Sequence, residues 1–299
     1  MRLAVPAHAR SENVRGIVAM LAATAVFVVN DTLLKIATEA LPTGEAIFLR
    51  GLFTTLFCAS LVVSHGTLGA LPHVVSPRIV GRAIAEVGST IFFLSALARM
   101  PIGDAMAILQ FTPLAITAGA ALFLGEKVGW RRWLATCVGL VGVLIIVRPG
   151  GAAFNPYSVL ALLSIVFGVA RDLLTRGMDA SLPSLLIAGT SSAAVTLASL
   201  GFIAFEIWAW PSSPTLLVLL GSSTALVAGQ YWLITAMRTG EIAVVAPFRY
   251  SIILWAVLAG YLVWREAPDA ASWIGIAIVT AAGLYTFVRE RQLAKAAQP

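Results

Sequence analysis

The candidates for chemistry in this 299-residue chain are seven of the charged residues within its long apolar stretches: Asp31, Lys35, Arg50, Glu86, Arg171, Asp172 and Arg249. A charged side chain at the centre of a membrane helix costs about 2.5–3.5 kcal/mol on insertion scales, so such residues pair or face a water-filled path. The chemistry open to them is therefore of three kinds. They could form ion pairs that lock helices together, form ion pairs that gate a path, or bind a proton or a charged substrate.

Depth along the predicted helices suggests which charges can meet. Asp31 lies fifteen residues into a helix that runs outward, and Arg50 lies five residues into the next, which runs back. At about 1.5 Å per residue these depths are similar, so we predict an Asp31–Arg50 pair, with Lys35 nearer the outer surface. By the same reasoning Glu86 and Arg249 could pair near the inner side, and Arg171 lies beside Asp172 near an inner end.

Uncharged polar and aromatic residues supply the predicted substrate contacts. Thr90 lies one helical turn beyond Glu86 and shares its face. Pro113 and Pro247 interrupt two apolar runs and would free backbone carbonyls, which is tolerated where a helix lines a cavity or finds other partners. The predicted substrate-binding residues are Asn30, Thr90, Gln110, Gln230, Tyr231, Arg249 and Tyr250. For each aromatic ring the alternative is packing between helices or anchoring in lipid.

Composition places these residues in a bilayer. The chain is 59% hydrophobic and 11% charged, against roughly 25% charged for a soluble domain. The net charge of +6 lies in short gaps between apolar runs, which argues against a nucleic-acid partner. No metal-ligand spacing, phosphate-binding glycine motif or paired nucleophile and base is present in the sequence. We therefore predict no metal, no cofactor and no enzymatic activity.

Ten apolar runs are long enough to cross about 30 Å of hydrocarbon. They cover residues 16–38, 45–64, 80–98, 103–124, 130–147, 156–176, 183–205, 214–237, 241–263 and 270–288. With the N-terminus inside, thirteen Lys and Arg residues fall on the inner side and three on the outer. The positive-inside rule then places both termini in the cytoplasm.

A shift of 140 residues relates the two halves of the chain. Glu126 and Trp133 return as Glu266 and Trp273, and Phe27 returns as Phe167. Each unit holds five spans, an odd number, so the second must enter the membrane inverted. The predicted domains are a tail at 1–15, a first five-helix repeat at 16–148, an inverted repeat at 156–288 and a tail at 289–299. Gly139, Gly142 and Gly275 would let the fifth and tenth spans approach other helices closely, as support or as a dimer surface.

On these features the sequence resembles the drug/metabolite transporter superfamily, in its ten-span form with two EamA-type repeats. The matching residues are Pro113, the Gly125-Glu126 corner, Gly139, Gly142, Pro247, Glu266, Gly275 and Gly283. Arg265 stands where the pattern usually has Gly. The resemblance implies a carrier of small metabolites in the bacterial inner membrane, and overall similarity points to the aromatic amino acid exporter branch.

Two hypotheses for function follow from the sequence and this resemblance. The first is a secondary exporter or facilitator of small metabolites, foremost amino acids including aromatic ones, working by alternating access at a cavity between the repeats. The alternative is a proton-coupled multidrug exporter that uses Asp31 or Glu86. The expected partners are the small-molecule substrate and the lipid bilayer, with the chain acting as a monomer or a homodimer.

Overall fold

The computed structural model describes residues 7–64, 76–123, 129–148, 154–176, 184–239 and 245–296, and these contain helices and no strand. The bundle begins with α1 (Ala7–Ala40), α2 (Thr43–Ser64) and α3 (Pro77–Leu97). It continues through α4 (Ile102–Leu109), α5 (Thr112–Phe123), α6 (Trp130–Val147), α7 (Tyr157–Arg176) and α8 (Ser184–Ser199). The last three helices are α9 (Ser213–Thr239), α10 (Ser251–Trp264) and α11 (Ala270–Ala296).

Within the described residues, nine helical segments are long and apolar enough to cross a membrane, and α6 contains a tenth, shorter apolar stretch at Trp133–Val147. Large hydrophobic side chains such as Leu122, Phe123 and Leu254 are exposed on the outside of the bundle, as expected of a surface in contact with lipid. The predicted all-α polytopic membrane fold is confirmed.

Two of the spans are broken close to proline. The fourth span stops at Leu109, turns through Gln110 and Phe111, and resumes as α5 with Pro113 at its second residue. The ninth span opens with a 3-10 turn, Ala246–Tyr250, which contains Pro247 and leads into α10. Proline cannot donate a backbone hydrogen bond and fits best at the start of a helix, so these helices begin there.

The pattern of helix contacts stays the same when the two halves of the chain are interchanged. α1 packs along α9 while α7 packs along α3, and α2–α8, α6–α11 and α4–α10 pair between the halves. At residue level, a Cβ added to Gly229 would meet the Phe27 ring at 2.8 Å, and one added to Gly88 would meet Phe167 at 2.4 Å. Phe27 and Phe167 are the residues related by the 140-residue shift, so this exchange of contacts fits two repeats, and their inverted orientation stays a prediction.

The helices α6 and α11, one from each half, approach each other closely at two glycines. A Cβ added to Gly275 would lie 2.6 Å from the Gly142 carbonyl oxygen, closer than real Cβ atoms come to backbone. Both glycines are thus needed for contact within the chain. This contact uses the two glycines as support between helices rather than as a free dimer surface.

Candidate functional site

Asp31 lies in the middle of α1 and is held there by its neighbour. The side-chain amide of Asn30 donates to Asp31 Oδ1 at 2.9 Å, and Ser222 Oγ on α9 donates to Asn30 Oδ1, also at 2.9 Å. Asn30, Asp31 and Ser222 are all buried. A serine from the second half of the chain therefore fixes the amide that orients a carboxylate in the first half.

Arg50 on α2 faces the same region and is 8% exposed. Its carbonyl oxygen accepts hydrogen bonds from Ser223 Oγ at 3.0 Å and Thr54 Oγ1 at 2.9 Å. Its guanidinium group makes no hydrogen bond with the described part of the chain, and Nε is buried without a partner. Asp31 and Glu86 are the carboxylates that act on it electrostatically. We call Asn30, Asp31, Arg50, Ser222 and Ser223 the Asp31–Arg50 site.

Asp31 and Arg50 carry opposite charges and attract each other, but they do not form the direct ion pair that depth predicted. None of the ion pairs within 4.0 Å among the described residues joins them. A buried arginine without a contacting acceptor is costly, because guanidinium loses its hydration and gains no hydrogen bond in return.

A second group of charges, which we call the arginine cluster, consists of Arg82, Glu86, Arg171 and Asp172. Glu86 on α3 lies 3.4 Å from Arg171 Nη1 and 3.7 Å from Arg82 Nη2, and Thr90 Oγ1 lies 3.4 Å from Glu86 Oε1. Arg171 Nε donates to Asp172 Oδ1 at 2.7 Å. The predicted Glu86–Arg249 pair is wrong, because α3 packs along α7, which carries Arg171.

Arg249 lies at the 3-10 turn before α10, is exposed, and makes no hydrogen bond with the described residues. Asp172 is the carboxylate that attracts it most. The interactions therefore connect charges of alternating sign through the bundle, from both halves of the chain. In order the charges are Asp31, Arg50, Glu86, Arg171, Asp172 and Arg249.

A third group, the lysine cluster, joins α1 to two connections at one end of the bundle. Lys35 Nζ donates to the Met100 carbonyl oxygen at 2.8 Å, lies 3.4 Å from Glu266 Oε2, and stands 4.5 Å over the Trp264 ring. Trp264 Nε1 donates in turn to Glu39 Oε1. This end of the bundle is the one predicted to face outward, and there the lysine cluster joins α1 to the connections before α4 and after α10.

Arg265 has the left-handed backbone conformation that favours glycine, the residue expected at this position. Arg265 has φ 59° and ψ 21°, in the left-handed region, and ends α10. Glycine adopts this conformation without strain, whereas other residues pay about 1–2 kcal/mol. The turn directs the next residue, Glu266, to Lys35. The loop therefore keeps the backbone turn that suits glycine despite the side chain.

At the same end, Arg148 bridges to Asp269 between α6 and α11. Asp269 also accepts the backbone N–H of Ser272 at 2.9 Å and so caps α11. The hydrogen bond from Arg148 and the N–H of Ser272 lower the pKa of Asp269 to about 2, and the same bridge raises the pKa of Arg148.

A cavity of about 310 Å³ opens beside this bridge, and Asp104, Asn155 and Ser158 also line it. This cavity is separate from the Asp31–Arg50 site.

The remaining predicted residues fall into different environments. Gln110 is buried at the break between α4 and α5. Tyr250 places its hydroxyl against Gly283, where an added Cβ would overlap it, so its ring packs on α11. Gln230 is exposed and lies seven residues after Ser223, on the same face of α9. Tyr231 is 65% exposed, and Leu217 and Leu220 on the same helix are also exposed, so the predicted role of Tyr231 in binding stays a prediction that this exposure does not favour.

Sequence reasoning missed the residues that position the charges. Ser222 and Ser223 are completely buried in α9, and Arg82 completes the arginine cluster. The available signal was a run of small polar residues, Ser222-Ser223-Thr224, in the middle of an apolar span. Among the described residues no group of three His, Cys, Asp or Glu side chains could hold a metal ion.

Residues 14–148 match the EamA-like transporter family. This match covers the first predicted repeat. One solved crystal structure shares the fold of this chain, with a TM-score of 0.61 at 21% identity, covering 95% of this chain and 99% of the other.

Three similar proteins are transporters of small molecules. The chain is 28% identical to a riboflavin transporter of Rhizobium johnstonii over 265 residues, 87% of each chain. It is 24% identical to an S-adenosylmethionine uptake transporter of Rickettsia prowazekii, covering 88% of this chain and 89% of that one. It is 27% identical to a pseudopaline exporter of Pseudomonas aeruginosa, covering 89% and 94%. These matches point to transport of metabolites rather than catalysis.

Proposed function

We propose that this multi-pass membrane protein is a secondary transporter of small metabolites, foremost amino acids including aromatic ones. The observation that carries the proposal is Arg50, a buried arginine inside a membrane bundle whose guanidinium makes no hydrogen bond with the part of the chain that the structure describes. Charged groups that only join helices satisfy one another, as in the arginine cluster. An unsatisfied one is retained where a charged solute binds.

The arrangement of the two halves supports alternating access as the mechanism. The Asp31–Arg50 site combines α1 and α2 of the first half with α9 of the second. The lysine cluster closes one end by joining α1 to the connection after α10. Rocking of one half against the other would break the lysine cluster and open the site to that side. We propose that this takes place in the bacterial inner membrane with both termini in the cytoplasm.

Transport by the purified chain in proteoliposomes tests the proposal. Vesicles loaded with unlabelled Trp, Phe, Thr or Met should accumulate the same labelled amino acid by counterflow, and protein-free vesicles should not. Riboflavin and S-adenosylmethionine serve as further solutes, because similar proteins are named for them. Counterflow of riboflavin alone would contradict the amino acid assignment, and no counterflow of any solute would contradict transport.

A proton-coupled exporter of cationic drugs is the second candidate, favoured by one observation. Asp31 is 9% exposed, and no guanidinium nitrogen of the described residues lies within 4.0 Å of its carboxylate oxygens. Burial without a contacting cation makes a carboxylate able to take up a proton, as such exporters require. Drug efflux driven by an imposed pH gradient, abolished in Asp31→Asn, would support this candidate. Efflux unchanged by the gradient would exclude it.

A further inference from the structure

We infer that the Asp31–Arg50 site is a receptor for a zwitterion, in which Arg50 binds the carboxylate and Asp31 the ammonium group of an α-amino acid. The inference rests on the proposed transport function and names the groups that would recognise the substrate. It assigns the side chain of the amino acid no particular contact.

Arg50 has the properties of a carboxylate ligand. Its planar guanidinium offers five N–H donors that match a carboxylate in bidentate geometry. The nearby carboxylates of the chain are already engaged, because Glu86 is bound by Arg171 and Arg82, and Asp31 Oδ1 accepts from Asn30. A carboxylate brought by a solute would therefore be the first contacting acceptor that Arg50 gains.

Asp31 provides the complementary half of the receptor. Only Oδ1 accepts a hydrogen bond from the described residues, so Oδ2 is free to accept one from an ammonium group. Asn30 donates to the carboxylate, and a hydrogen bond of this kind favours the charged form that an ammonium group would bind. Asp31 and Arg50 attract each other without touching, and the two ends of a zwitterion would complete both.

Two consecutive serines of α9 position the two charges. Ser222 bonds Asn30, which orients Asp31, and Ser223 bonds the carbonyl oxygen of Arg50. Both serines are fully buried. Because α9 belongs to the second half while Asp31 and Arg50 belong to the first, the distance between the charges depends on how the halves are packed.

Electrostatics favours a zwitterion over either singly charged analogue. A carboxylate without an amine adds negative charge beside Asp31, and an amine without a carboxylate adds positive charge beside Arg50. At low dielectric each of these repulsions is stronger than it would be in water. A zwitterion adds no net charge and satisfies both side chains.

A ligand series on the wild-type chain tests the inference without any substitution. Binding of L-phenylalanine, 3-phenylpropionate and phenethylamine to the purified full-length chain in detergent is measured by isothermal titration calorimetry. L-Phenylalanine should bind at least tenfold more tightly than either analogue. An analogue that binds within threefold of L-phenylalanine, or absence of L-phenylalanine binding, would overturn the inference. Counterflow of another metabolite would in that case leave the proposed transport function standing.

Substitutions then assign each charge to its partner. Asp31→Asn should lower the affinity for L-phenylalanine at least tenfold and leave the affinity for 3-phenylpropionate unchanged or higher. Arg50→Gln should lower the affinity for L-phenylalanine to the same extent and leave the affinity for phenethylamine unchanged or higher. Arg99→Gln, an exposed arginine in the connection before α4, is the matched control and should alter none of the three affinities.

If both substitutions lowered the affinity for all three ligands equally, Asp31 and Arg50 would have a structural role, and the assignment would be overturned. Arg50→Lys keeps the charge for the case in which Arg50→Gln does not yield folded protein. It should retain preference for L-phenylalanine over phenethylamine, at lower affinity, because lysine binds a carboxylate as a point charge without the bidentate geometry. Loss of that preference in a folded Arg50→Lys protein would contradict the role of Arg50.

Discussion

Lys35 shows at the scale of one residue how a charge can be kept inside the bundle. It is 7% exposed, yet a backbone carbonyl, a carboxylate and an indole ring surround its ammonium group. These three contacts come from the connection before α4 and from the end of α10. Removing the lysine would leave Glu266 without its cation and the Met100 carbonyl without its donor, so the closed end would loosen.

We predict that Lys35→Met opens the end of the bundle that the lysine cluster closes. The reporter is Met100→Cys in a background with Cys58→Ser and Cys137→Ser, since Met100 is buried in the closed arrangement. Loss of a charged hydrogen bond worth about 1.5–3 kcal/mol should raise the rate of maleimide labelling by roughly tenfold or more. The same reporter with Arg99→Gln should label at the parental rate. Equal rates in both variants would contradict the role of Lys35 in closure.

Sequence reasoning at this scale identified the charges but not all of their partners. Asp31, Arg50 and Glu86 stood out because a charge inside an apolar run is rare and costly. Depth then paired Glu86 with Arg249, whereas the structure gives it Arg171. Depth is one coordinate, and two residues at one depth meet only when their helices are neighbours and their faces turn toward each other.

At the scale of helices, the contact of α6 with α11 depends on the absence of side chains. We predict that Gly275→Ala lowers the stability of the bundle, because the added Cβ would fall 2.6 Å from a carbonyl oxygen of α6, and backbone cannot yield as a flexible side chain can. Overpacking of this kind costs about 1–3 kcal/mol. The unfolding temperature in detergent is the measurement.

Gly201→Ala is the control for that substitution, since nothing lies within 4 Å of its added Cβ. It should leave the unfolding temperature nearly unchanged. Similar unfolding temperatures for wild type and Gly275→Ala would show that the two helices can separate slightly without loss, and would contradict the predicted close contact.

The Arg148–Asp269 bridge joins the same two helices at their ends, and its pH dependence can be predicted. The folded pKa of Asp269 is about 2, below the 3.8 expected of an unperturbed Asp. A depressed folded pKa stabilises the protein above the unfolded pKa, and the stabilisation is lost as pH falls from about 4 toward 2. The difference in unfolding temperature between wild type and Asp269→Asn should stay constant from pH 8 to 5 and shrink from pH 4 to 3.

Arg148→Gln checks which partner is responsible for that stabilisation. In the Arg148→Gln background, Asp269→Asn should lower the unfolding temperature at pH 7 less than it does in wild type, because the ion pair is already lost. The capping bond to Ser272 would remain as the residual effect. A wild-type difference that changes between pH 8 and 6 would instead indicate another titrating group.

The helices themselves follow closely from local sequence. The predicted span 130–147 coincides with α6, and 156–176 differs from α7 by one residue. Other bounds shifted where helices continue beyond the apolar run, as α11 does to Ala296. The interruptions near Pro113 and Pro247 were predictable because proline affects its own backbone. The left-handed turn at Arg265 was not, because an arginine gives no local signal for positive φ.

At the scale of the whole molecule, the predicted ten spans in two inverted halves would place both termini on the same side. We predict that a reporter enzyme active only in the periplasm is inactive when fused at either terminus and active when inserted between residues 151 and 152. The physical reason is the excess of Lys and Arg in the segments predicted to be inside. Activity at one terminus alone would require an odd number of spans and contradict the inverted duplication.

The sequence alone determined that this chain spans a bilayer as helices, where most of those helices lie, and which charges stand inside them. Those properties depend on hydrophobic length and on the cost of a charge in hydrocarbon, both of which are local. Only the tertiary structure decided that Ser222 and Ser223 position Asp31 and Arg50, that Glu86 meets Arg171, and that Lys35 meets Glu266. The reason is that lateral packing in lipid depends on shape, small residues and hydrogen bonds between helices, about which the hydropathy of each helix carries no information.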